Sequence, residues 1–106
     1  MNNWDQENNE WQNTIILLVK RFNKMLATNA NDFFDVEEFE IIIDYFLYNF
    51  NFTESEQAVQ LALKQYPNSI NILLKKAKLY AYLNKEKQAL EILKNITSNI
   101  DEIRTH

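Results

Sequence analysis

The chain contains no glycine among its 106 residues; average usage would supply about 7. Phosphate-cradling loops and dinucleotide fingerprints need a backbone without Cβ, so both are excluded. Every chain reversal must instead be made by Asn, Asp, Ser or the single proline, Pro67. There is no cysteine, which removes disulfides, thiolate metal sites and cysteine nucleophiles. The one histidine, His106, is the last residue, so neither a histidine relay nor a multi-histidine metal site is available. No cofactor is expected. Apolar residues make up 46% and charged residues 25%, the balance of one folded domain.

Net charge is −4 and the pI about 4.9, which argues against a nucleic-acid partner, since phosphate binders carry a basic face. The longest apolar run, Ile15 to Val19, is far short of the ~18 residues that suggest a membrane span. The polar opening has no basic region ahead of an apolar stretch, so the expected setting is cytoplasmic, without a membrane partner.

Periodicity predicts helices throughout. Trp11, Ile15, Leu18, Phe22 and Met25 recur at helical spacing and predict a helix over about residues 8–27. Ile16, Leu17, Val19 and Leu26 widen the stripe, as if that helix were covered on more than one side. Trp11 is read as a core or capping residue. Trp4 and Trp11 would suit a membrane anchor, but Asp5, Glu7 and Glu10 beside them oppose anionic lipid. Thr28 to Asp32 reads as a loop. Asp35 and Glu38 form a capping box, with Phe34 and Phe39 as its hydrophobic staple. Thr53 and Glu56 form a second box. Further helices follow Pro67 and Asn84, and Ser98 and Asp101 open a short last one. No segment alternates as a strand would. Short loops make consecutive helices antiparallel neighbours.

Two helix pairs sit 34 residues apart. Phe39 aligns with Leu73, Ile43 with Ala77, Phe46 with Tyr80, Ser55 with Ala89, Val59 with Leu93 and Ala62 with Ile96. Large residues fall where a first helix docks and small ones where helices cross closely. This pattern resembles the tetratricopeptide repeat, with Pro67 at the position that ends a repeat. The second repeat is the better match; Ile43 and Ser55 depart from the pattern in the first. The stretch from Phe33 to Phe46 also resembles the N-terminal part of longer tetratricopeptide proteins of Bacteroidetes. The resemblance implies an all-α chain of antiparallel hairpins, stacked as a right-handed α-solenoid with an N-terminal covering helix. Residues 1–10 are then a flexible start, 11–31 the covering helix and loop, 36–67 the first repeat and 70–97 the second. Residues 98–106 are a short C-terminal capping helix or the start of a further repeat. About three repeats usually make a stable array, so the chain is a short capped array, a dimer or part of something longer.

In the family the first helix of each repeat lines a concave groove. The resemblance places Glu37, Glu40, Asp44 and Tyr48 there from the first repeat, with Leu47, and Asn71, Leu74, Lys78 and Tyr82 from the second, with Ala81. Family members that grip a C-terminal carboxylate use Lys and Asn where Glu40 and Asp44 stand, so this chain suits a basic or amphipathic partner better. Read from the residues, Glu37, Glu40 and Asp44 share one helix face, either as a solvated face or as metal or acid–base carboxylates. No histidine or further ligand joins them. Charge is segregated: residues 32–56 carry acids and no base, while residues 57–100 carry lysines against Glu86 and Glu91 alone. That dipole can steer a partner or drive head-to-tail association, or the lysines simply solubilise. The expectation is a non-enzymatic scaffold that binds a protein or peptide. The alternative is a structural cap of a longer array, or a homodimer through Ile92, Ile96, Ile100 and Ile103.

Overall fold

The computed structural model describes the backbone of residues 3–30 and 32–105, and the side-chain surroundings of residues 8–30 and 32–98. Five helices follow one another: α1 (Asn3–Thr28), α2 (Val36–Tyr48), α3 (Phe52–Gln65), α4 (Ile70–Tyr82) and α5 (Glu86–Thr105). Among the described residues there is no strand. Each helix packs on the next, and α2 also packs on α4. The core forms where α1, α2, α3 and α4 meet. Phe22, Phe39, Ile42, Ile43, Val59, Ile72 and Leu79 are buried there. Phe22 lies 6.1 Å from Phe34 and 6.0 Å from Phe46, ring centre to ring centre, which joins α1 to α2 through an aromatic cluster.

The first capping box forms as the sequence predicts. The Asp35 backbone N–H donates to Glu38 Oε1 at 2.9 Å, and the staple pair Phe34 and Phe39 lies at 5.3 Å between centroids. The loop before it is clamped from both sides. Arg21 Nη2 donates to the Phe33 carbonyl at 2.6 Å, and its guanidinium stands 4.1 Å from the Phe34 ring centre. From the far end of α3, the Tyr66 hydroxyl donates to the Phe34 carbonyl at 2.6 Å and Gln65 Nε2 to the Asp32 carbonyl at 3.1 Å.

The 34-residue period is present in the backbone itself. Val36 and Ile70 open α2 and α4, Tyr48 and Tyr82 close them, and Phe52 and Glu86 open α3 and α5. The turns repeat too. Phe50 N–H donates to Leu47 and Asn51 N–H to Phe46; 34 residues on, Asn84 donates to Ala81 and Lys85 to Tyr80. Each is a Schellman closure, with Phe50 (φ 58°) and Asn84 (φ 60°) in the left-handed position. Asn29 (φ 54°) ends α1 with the same long bond, from Ala30 to Met25. Two asparagines and a phenylalanine thus do what glycine ordinarily does.

Several expectations are corrected. α1 begins at Asn3, earlier than the expected residue 8: no Gly or Pro stops the helix, and propagation is cheap once Leu18 to Met25 are docked. The second capping box does not form. The Schellman turn makes Asn51 the cap residue of α3, and Thr53 already lies in its first turn. No break occurs at Ser98, where α5 runs on to Thr105; the Thr97 hydroxyl is satisfied inside the helix by the Leu93 carbonyl at 3.0 Å. Among the described residues α1 packs mainly on α2 and nears α3 only at its end, so Ile16 and Leu17 are exposed and the expected cover on a second side is missing. Trp11 is 53% exposed rather than core. α1 has 26 residues against 13 in α2, and at ~1.5 Å per residue its first half overhangs its partner. The side chains of Asp5, Glu7, Trp4, Ile100, Asp101 and Ile103, and all of His106, lie outside the described residues.

Candidate functional site

A hollow of about 450 Å³ lies between α1 and α2. Trp11 and Ile15 form one wall, Ile41, Tyr45 and Tyr48 the other, and Asp44 sits at its edge. Helical spacing explains the set. Ile41, Asp44, Tyr45 and Tyr48 occupy the α2 face turned from α3, and Trp11 and Ile15 continue the α1 stripe beyond the covered stretch. Tyr48 is 89% exposed, and Ile15, Ile41 and Tyr45, deeper in the two walls, are half-buried and make the apolar floor where the walls meet. Asp44 Oδ1 accepts from Lys75 Nζ at 2.7 Å, tying α2 to α4. A concave apolar floor with exposed aromatics and a charged rim can hold a side chain of a peptide or helix.

The predicted groove residues divide between places. Asp44 and Tyr48 line this hollow. Leu74 and Lys78 line another, of about 430 Å³, between α4 and α5; the two share no lining residue. Tyr82 stacks on Phe52 at 6.0 Å with the rings 26° apart, and Phe52 meets Phe50 edge-on at 6.2 Å. Glu37 and Asn71 are exposed and Glu40 half-buried, away from both hollows. Glu38 pairs with Arg21 at 3.5 Å, and Asp44 is engaged by Lys75. Among the described residues no group of three or more His, Cys, Asp or Glu is placed to hold a metal ion.

Sequence reasoning missed the walls supplied by Ile41 and Tyr45, and the α5 residues Leu90 and Leu93 opposite Leu74. Their signal was apolar residues at the fringe of a helical stripe. It also missed a hollow of about 670 Å³, where the end of α1 meets α3 with Met25, Leu26, Leu61 and the exposed Phe33 on its walls. Phe33 beside the stapled Phe34 was the available sign.

No family model, curated protein or solved structure matches the chain. Among the described residues no helix is long and apolar enough to cross a membrane.

Proposed function

We propose that the chain is a tetratricopeptide-like interaction scaffold that holds a basic or amphipathic peptide in the hollow between α1 and α2. The observation that carries this reading is Tyr48, a large side chain left 89% exposed above an apolar floor, with Trp11 facing it. Aromatic anchors over a partly desolvated floor are the usual source of peptide affinity. The repeat in helix bounds and turn hydrogen bonds supports the solenoid part of the proposal. Asp44 keeps half of its side chain exposed although Oδ1 is paired with Lys75, which leaves Oδ2 as an acceptor for a basic group on the partner. Binding by shape and charge needs no nucleophile, and the chain is read as a non-enzymatic, cytoplasmic module.

Trp11 gives the test its readout. Titrating immobile-charge series of amphipathic helical peptides, basic, neutral and acidic, against tryptophan fluorescence should select the basic members. Tyr48→Ala should weaken them about tenfold or more with unchanged helicity, and Asp44→Asn, which avoids setting like charges beside Lys75, should reduce the preference for the basic series. Equal response to all three series, or no effect of either substitution, would reject the groove.

A second reading, a structural cap or homodimerisation module, is favoured by Leu90 and Leu93, which stand exposed on the last helix pair. Sedimentation showing a concentration-dependent dimer that Leu93→Asp dissolves would support it.

A further inference from the structure

The two helix pairs have the same backbone, yet only one is covered. In the first pair Leu47 and Val59 are buried, and α4 packs on both α2 and α3 with Ile72 and Leu79 fully enclosed. The equivalents in the second pair, Ala81 and Leu93, are exposed. Leu93 is 40% and its neighbour Leu90 58% open to solvent, and the space beside them is the hollow between α4 and α5. The covered pair is therefore a template for whatever covers the other. The template specifies a helix with apolar residues seven apart, as Ile72 and Leu79 are, and a polar residue three after the first, as Lys75 is.

Charge identifies the occupant. In the covered pair Lys75, only 19% exposed, meets Asp44. The residue 34 positions after Asp44 is Lys78, which lines the hollow and has no carboxylate within 4.0 Å among the described residues. The sign is inverted, so the covering helix must bring an acid where α4 brings a lysine. Glu86, which also lines this hollow, does not pair with Lys78. Helices of a second copy fit poorly. An α4 would set Lys75 against Lys78, and on the uncovered side of α1 the residue three after Leu17, the position that must be acidic, is Lys20, the acid of that face, Glu10, lying seven residues before Leu17 instead.

We propose that the α4–α5 face is a docking site for an acidic amphipathic helix of a partner protein, seated as α4 is on α2 and α3 and offering a carboxylate to Lys78. This site is separate from the Tyr48 hollow, and rests on the internal repeat rather than on the proposed peptide groove.

The probe is a stapled, fluorescent peptide of residues 70–83, in its parent form and with Lys75→Glu, titrated into the full chain and read by anisotropy. The Lys75→Glu peptide should bind roughly tenfold more tightly than the parent, with the difference shrinking as salt rises. Lys78→Glu in the protein should reverse the order. Leu93→Asp should abolish both at unchanged circular dichroism, while Tyr48→Ala should alter neither. Equal affinity for the two peptides, a preference indifferent to Lys78→Glu, or no binding by either would overturn the proposal. So would sedimentation showing the face closed by a second copy, with dimerisation lost in Leu93→Asp. Lys78 is a surface residue, so its reversal does not threaten the fold.

Discussion

Ser55 is fully buried, and its hydroxyl has no hydrogen-bond partner. A buried hydroxyl without a partner costs about 1–3 kcal/mol, so the position is selected for size and not polarity. The repeat supplies the comparison, because Ala89 stands in the equivalent place and is also buried. Ser55→Ala should therefore raise stability by about 1 kcal/mol, read as a higher urea midpoint at unchanged slope. A lower midpoint would mean that the hydroxyl has a partner. The sequence marked Ser55 as a small crossing residue; that its oxygen is left unpaired depends on how closely α2 and α3 approach.

At the scale of elements, the turns are where a chain without glycine meets its constraint. Asn29 and Asn84 are tolerant residues for the left-handed region, but Phe50 is not. It is 70% exposed, so packing accounts for little of its presence. Phe50→Asn and Phe50→Val both lose the edge contact with Phe52 and differ mainly in backbone tolerance. Phe50→Asn should be the more stable by about 1 kcal/mol, measured by thermal or urea unfolding. Equal stability of the two would show that the turn relaxes out of the left-handed region. The helices on either side were legible in advance. Phe39, Ile42, Ile43 and Phe46 declare α2 by spacing alone, and Asp35 with Glu38 declares its start. The start of α3 was not, because Thr53 and Glu56 satisfy the capping pattern locally. The Schellman bond from Asn51 to Phe46 brings the start forward.

Across the whole molecule, the radius of gyration is 15.9 Å and the longest dimension 51 Å, against about 13 Å for the radius of a globular chain of this size. The overhang of α1, twice as long as α2, contributes to that elongation. Stability should be graded from the packed helices to the overhang. Amide exchange should be slowest in α2 and α3, around Phe46 and Val59, where helices pack on both sides. It should be faster by orders of magnitude at Glu10 to Thr14, where α1 overhangs. Uniform protection along α1 would show that its first half is covered by something, a second copy included.

By itself the sequence determined what is local or periodic. The all-helical class, the hydrophobic faces, the first capping box and the 34-residue period follow from residue spacing, which is set within one or two turns of helix. Tertiary structure decided which of those faces are covered. Trp11 and Leu93 carry the same apolar signal as Phe22 and Val59, and they are exposed because no helix packs over them. Burial depends on the number and length of the neighbours, which spacing along one helix does not encode. The same reason separates Asp44 from Lys78: each is a charged residue on a helix face, and only the packing of α4 on α2 gives one of them its partner.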